Sequence, residues 1–404
     1  MTVLRFARGE PHSMKITAVT AYAVRFDQGD FFGGAGHADK DAAPRASSYL
    51  VQPGWRGIYS PRIESMVVRV DTDAGLFGYG EGASPIAPEV SGQAVRRILA
   101  PVLTGRDPCA PRALRREMYD LMNLRGHAGG SMIDAISAVD QALWDIAGKA
   151  AGLPVHALLG GPGRLDLPVY VSGIRGVTID ERIATMRGFM SRGFSQFKHF
   201  GGFGVERDAE TIGALIDGAD GKARIAIDAL WNYDVTDAVR LGRRLERLDA
   251  LWLEAPIEPE DVRGNAELAR ALDLTIANGE TLRTRLEFLP WFEARAFDLA
   301  QPDIGRSGIT EGVAIIDLAE AFHIPVALHL GTGTPVMVAA SLHVAAASPQ
   351  VKLVEYQPVV LAAANRLLKQ PISCEGGQIR VPEGPGLGIE VDEAVLRKLS
   401  VPID

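Results

Sequence analysis

Residues 223–256 read ARIAIDALWNYDVTDAVRLGRRLERLDALWLEAP and contain the repeat unit of most of the chain. A short apolar run ends in Asp228, an amphipathic stretch follows at about 235–247, and a second apolar run ends in Glu254. Short apolar runs bounded by turn signals predict buried strands, and the amphipathic stretch between them predicts a helix. The unit recurs in both directions. Upstream lie LPVYVSGI (167–174), a helix at about 179–192, FSQFKHF (194–200) and a helix at about 205–217. Downstream lie a helix at about 264–271, LTIANGE (274–280), a helix at about 284–295 and FDLAQPDIG (297–305). A helix at about 309–322, IPVALHL (324–330), a helix at about 335–347 and VKLVEYQ (351–357) complete the series. About eight strands, each followed by a helix or its remnant, predict an α/β fold of TIM-barrel type with parallel strands.

The flanks differ in texture. Met14–Val24 and Glu64–Asp71 read as strands, and TDAGLFGYGEG (72–82) as a hairpin turn with its return strand. Helical patterns at about 88–104 and 111–124 precede SMIDAISAVDQALWDIAGKAAG (131–152), which stops at a glycine with Pro154 behind it. Between the strands runs the long, glycine-rich FFGGAGHADKDAAPRASSYLVQPGWRGIYSP (31–61), a length that in a compact domain usually serves function. The expected division is an extension at 1–13, an α+β capping domain at 14–150 and a barrel at 151–361. A Pro/Gly-rich segment, 362–404, returns to the cap. With 404 residues, 47% hydrophobic content and a net charge of −8, the chain is a globular protein without the basic surface a nucleic-acid partner needs. No run approaches the roughly 18 apolar residues of a membrane span. Two cysteines offer no disulfide framework, so a reducing cytoplasm is expected.

Residues at the C-terminal ends of barrel strands converge on one mouth. Here those positions are Lys198, Asp228, Glu254, Glu280, Asp303, His329 and Glu355, at successive steps of 30, 26, 26, 23, 26 and 26 residues. One βα unit has about that length, so the groups stand at equivalent heights. Three could be ordinary strand-end ion pairs, but Asp228, Glu254 and Glu280 on neighbouring strands also form a hard oxygen cage suited to Mg²⁺. With no His or Cys among them they make a poor zinc set. Asp303 beside His329 would fix the imidazole tautomer and raise the basicity of the other nitrogen, giving a general base. Metal on one side and base on the other frame a carbon acid whose deprotonation gives an enediolate. Glu355 could hydrogen-bond the opposite enediolate oxygen, and Lys198 is expected to contact substrate electrostatically.

These strings resemble the enolase superfamily, and within it the mandelate racemase subgroup. The carriers are AIDAL (Asp228), WLEAP (Glu254), NGE (Glu280), QPDIGRSGITE (Asp303) and ALH (His329), together with GYGEG and ALWDIAGKAAGLPVHALLGG. The resemblance implies a modified (β/α)₇β barrel under an α+β cap, three Mg²⁺ ligands, a His–Asp dyad and a homo-oligomer from dimer to octamer. It also implies that the glycine-rich loop folds over the mouth, where Trp55, Arg56 and Tyr59 would read substrate. Two departures sharpen the reading. The subgroup often carries Lys-x-Lys on the second barrel strand, and here the second lysine position is Phe200, which cannot move a proton. Strand alternation sends Lys198 and Phe200 inward and His199 toward the helices. Leu230 stands where the family often has Asn, leaving that contact to Trp231 or Asn232. A single base fits elimination better than racemisation, so the expected reaction is dehydration of a small-molecule acid sugar. Cycloisomerisation of a lactone or anhydro-sugar acid is the alternative, and a non-catalytic metal-bound scaffold the rival of another class.

Overall fold

Eight parallel strands close on themselves in a computed structural model that describes residues 14–26, 49–51, 56–401 and 403. The expected extension at 1–13, most of the glycine-rich loop and Trp55 lie outside the described residues. The barrel strands are Asp166–Ser172, Gln196–Phe200, Arg224–Asp228, Leu253–Glu254, Ile276–Asn278, Leu299–Ala300, Val326–Leu328 and Val351–Tyr356. The eighth pairs in parallel with the first, through Glu355 opposite Tyr170. Seven helices connect them: Ile179–Met190, Val205–Ala219, Val235–Arg247, Val262–Ala271, Arg285–Ala294, Ile304–Ala321 and Pro335–Ala347. The barrel axis is filled by Tyr170, Ala226, Trp252, Ala277, Leu299 and Ala327, alternate positions that the pleat turns inward. Tyr170 and Trp252 meet edge to face at 4.9 Å, so this is a packed core and not a channel.

One helix starts earlier than its sequence pattern. The expected start at 309 is the second part of Ile304–Ala321, whose backbone breaks at Gly308 (φ 78°, ψ 173°). The extra first turn exists because Asp303 caps it, its Oδ1 accepting the Gly305 N–H at 2.7 Å. Asp140 lies against Gly308 so closely that a Cβ there would come within 2.8 Å of its carboxylate.

The cap is an antiparallel sheet in the order Ser400–Val401, Ile16–Phe26, Ile63–Thr72, Phe77–Gly82, covered by the helix Gly130–Ala151. The GYGEG repeat makes that cover possible. A Cβ at Gly78, Gly80 or Gly82 would fall 2.2, 1.9 or 2.4 Å from carbonyl oxygens of the helix. Glycine at alternate positions lets a helix backbone rest directly on a strand. The helix is buried on nearly every face because barrel elements cover its other side. Gln141 Nε2 donates to the carbonyls of Glu81 and Ile304, and Trp144 Nε1 to Thr310 Oγ1, tying cap strand to barrel helix. The chain after 362 returns to the cap sheet as expected, but first forms a hairpin, Cys374–Glu375 with Gln378–Arg380, antiparallel to the first barrel strand. Strands of two and three residues are too short to show a period. Among the described residues no helix is long and apolar enough to cross a membrane.

Candidate active site

The barrel register brings the first two acids side by side, since Asp228 and Glu254 are paired positions on adjacent strands. Glu280 follows the next strand by two residues. One oxygen from each of the three lies within 4.8 Å of the others. Asp228 and Glu254 are buried, whereas Glu280 keeps 13% of its side chain exposed and faces the cavity. Burial raises the pKa of all three carboxyls, and each is raised further by a neighbour of the same charge: Glu280 acts on Asp228, Asp228 on Glu254, and Glu254 on Glu280. A buried, oxygen-only cluster with excess negative charge fits a hard divalent cation.

Lys198, 1% exposed, sits among these acids. Its Nζ contacts Glu254 Oε1 and lies 3.1 Å from Glu355 Oε1 and 3.4 Å from Asp228 Oδ2. Burial works against its charge, but Glu254 and Glu355 overcome it and hold the ammonium well above its ordinary pKa. The three carboxylates hold its position among them. Phe200 lines the cavity, with Lys198 5.7 Å from its ring centroid. His199 points the other way, as alternation requires; burial, then Arg182 and Arg207, push its pKa down to about 3.

Asp303 has two tasks. Its Oδ1 caps the helix, and its Oδ2 accepts His329 Nδ1–H at 2.7 Å, so the cap immobilises the carboxylate that orients the imidazole. His329 Nε2 is left facing the cavity, 3.5 Å from Glu280 Oε2 and 3.6 Å from Glu355 Oε2. Burial opposes protonation of this ring, but Glu280, Glu355 and the Asp303 bond outweigh it and raise its pKa to about 10. Cation charge in the acidic cluster would oppose the same field. Glu355 accepts the Leu330 N–H at 2.9 Å, and Lys198 with His329 keeps it ionised against the cost of burial.

Lys198, Asp228, Glu280, Asp303, His329 and Glu355 line a cavity with a volume of about 320 Å³. Tyr59 lines it; burial, then the charges of Asp228 and Glu280, keep its phenol protonated as a donor. Arg56 is not brought to the wall: it is 63% exposed and pairs with Glu258 at the rim. At the Leu230 departure, Leu230 and Trp231 both line the cavity, on left-handed backbone with φ of 51° and 57°. Strain of that kind in non-glycine residues concentrates at functional sites. Asn232 donates to the Gly202 carbonyl at 3.3 Å and is not part of the cavity lining, whereas Trp231 is. Two positioning residues escaped the sequence reading. Trp252 Nε1 and Gln301 Nε2 donate to Glu254 Oε2 at 2.9 and 2.7 Å. The available signal was alternation, for each stands two residues before a site acid, at the edge of a barrel strand.

Comparison with known proteins agrees with this geometry. Residues 61–160 match the model of the mandelate racemase/muconate lactonizing enzyme N-terminal domain, and residues 181–395 that of the enolase C-terminal domain-like family. A D-galactarolactone cycloisomerase of Agrobacterium fabrum is 31% identical over 83% of this chain and 91% of its own. A D-galactonate dehydratase of Ralstonia nicotianae is 32% identical over 87% and 92%. The crystal structure of an enolase superfamily member from Agrobacterium tumefaciens superposes with a TM-score of 0.91 at 32% identity, covering 96% of this chain and 99% of that one. Barrel, cap and matched sequence together place the chain in the mandelate racemase/muconate lactonizing enzyme family of the enolase superfamily.

Proposed function

We propose that the protein is a Mg²⁺-dependent acid-sugar dehydratase of the cytoplasm. The observation that carries the reading is the one-sided arrangement of the mouth. A buried His329–Asp303 pair presents Nε2 to a cavity lined also by Asp228 and Glu280, two of three clustered carboxylates with Glu254 buried behind them, while the second lysine position carries Phe200. Asp228, Glu254 and Glu280 would hold Mg²⁺, which when bound draws charge from the substrate carboxylate and makes the adjacent C–H acidic. His329 Nε2 takes that α-proton, with Nδ1–H anchored on Asp303. The electron pair of the C–H bond becomes the C=C bond as the β C–O bond breaks. The hydroxyl leaves as water with the proton carried by the His329 imidazolium, which returns the base to its neutral form, and the resulting enol tautomerises to a 2-keto-3-deoxy acid. Lys198 and Glu355 hold their charges in place, and Tyr59 donates a hydrogen bond.

The relative named D-galactarolactone cycloisomerase favours a second reading, in which the same proton removal expels a ring oxygen. A panel of open-chain acids and their lactones with Mg²⁺, run in D₂O and read by keto-acid formation, separates the two. Keto acid from open-chain substrates is expected, with deuterium entering from one face. Turnover of lactones alone would overturn dehydration, and exchange with inversion would reveal a second base. His329→Asn is expected to lower turnover about 10²–10⁴-fold.

A further inference from the structure

The cavity wall carries two guanidinium groups that the metal-and-base set does not use. Arg62 precedes the cap strand Ile63–Thr72, and Arg306 lies in the first turn of the barrel helix capped by Asp303. Several other arginines of the cap and barrel are committed: Arg25 to Glu64 and Glu89, Arg283 to Asp134, and Arg115 and Arg285 to Glu311. Among the described residues, no carboxylate lies within ion-pair distance of Arg62 or Arg306, and neither side chain makes a hydrogen bond. Arg306 Nε is fully buried without a partner. A buried guanidinium donor left unpaired is costly, and the group cannot shed its charge to escape that cost. Its planar fork of N–H donors matches a carboxylate.

We propose that Arg62 and Arg306 form a second anion subsite of this cavity, and that the acid sugar it takes is a dicarboxylate, an open-chain aldarate. The inference rests on the dehydratase reading and deepens it. The substrate's first carboxylate belongs with the metal cluster, so two further permanent cations in the lining of the same cavity call for a second anion. A site built to pair a charged group rejects an analogue that lacks it, because its own donors are then left unsatisfied. An aldonate ends in a neutral hydroxymethyl group and would leave both guanidiniums unpaired.

The test uses the Mg²⁺-loaded full chain with matched pairs, galactarate against galactonate and glucarate against gluconate. In at least one pair, kcat/KM is expected to favour the aldarate by about 10² or more, and Arg306→Met and Arg62→Met should collapse that ratio at least tenfold, mostly through KM. Arg306→Lys should restore part of it. Equal use of both members, or a proportional loss on both in the variants, overturns the subsite while leaving dehydration standing. If neither class releases keto acid, dehydration fails, and calorimetry with galactarate and galactonate decides the subsite alone. Tighter aldarate binding that is lost in Arg306→Met supports it, and equal binding overturns it.

Discussion

Glu81 in the cap and Glu254 at the barrel mouth are both fully buried acids, and burial raises the carboxyl pKa of both. Their surroundings are opposite. Glu81 reaches across the cap–barrel junction and accepts from Ser65 Oγ at 2.5 Å, the Thr334 N–H at 2.6 Å, the Met337 N–H at 2.8 Å and the Thr334 hydroxyl. Every donor is neutral, and the chain supplies all of them. Glu254 has Trp252, Gln301 and Lys198, but it also shares its space with Asp228, Glu280 and Glu355. One Lys198 cannot balance that crowd. Burial and a raised pKa are common to both acids; what separates them is the negative charge around Glu254 that its partners do not balance.

The largest effect that would break this division is on turnover. Glu254→Gln is expected to lower kcat/KM by about 10³ and weaken Mg²⁺ binding, while relief of repulsion from Asp228 and Glu355 offsets the cost of setting an amide against Lys198 in the metal-free protein. At a hundredfold excess over Kd, Mg²⁺ should stabilise the wild type by about 2.7 kcal/mol. Thermal melts with and without metal read both quantities. An undiminished Mg²⁺ shift in the variant would remove Glu254 from the metal site.

Glu81→Gln should do the reverse. The amide places an NH₂ against donors that need acceptors, costing about 1–3 kcal/mol in denaturant titrations whether or not metal is present. Because Thr334 and Met337 lie in and after the loop that follows His329, some loss of activity should accompany it. A stability change that appears only with Mg²⁺ would mean that Glu81 belongs to the site after all.

The same contrast explains how much could be read from the sequence. The barrel was legible because each βα unit repeats an apolar run and an amphipathic run at a near-constant step, and the mouth because its acids stand at the end of each run. Asp228, Glu254, Glu280, Asp303 and His329 needed only that phase. Glu81 was legible as part of a motif but not as a clamp, since its partners Thr334 and Met337 lie some 250 positions away. Lys198 was legible as a residue of the mouth, but its three carboxylate neighbours come from three other strands and no local pattern announces them. Arg306 sits inside a quoted motif, yet its lack of a partner is a fact of three-dimensional packing. Strand periodicity reports height and face; it does not report whether a buried charge is balanced.

His343 extends the comparison to a group kept neutral. It is fully buried on the helix Pro335–Ala347, stacked on His156 at 5.2 Å, with Nδ1 accepting the His156 backbone N–H at 3.3 Å. Burial, joined by His156, outweighs a backbone contact with Leu387 that favours the protonated ring, and pushes its pKa down to about 4. An unfolded histidine titrates near 6.5, so between those values the unfolded chain binds more protons than the folded one. The contribution is therefore complete above about pH 6.5 and is lost as pH falls toward 4, by about 2 kcal/mol at pH 5. His343→Gln retains an acceptor for the His156 N–H and cannot be protonated. Melting temperature against pH should fall less steeply in this variant between 6.5 and 4, while His156, also pushed down by burial, acts alike in both proteins. Parallel slopes would assign the acid sensitivity to the crowded carboxylates of the mouth, and a group the fold completes in its neutral form would then be no more pH-sensitive than Glu81.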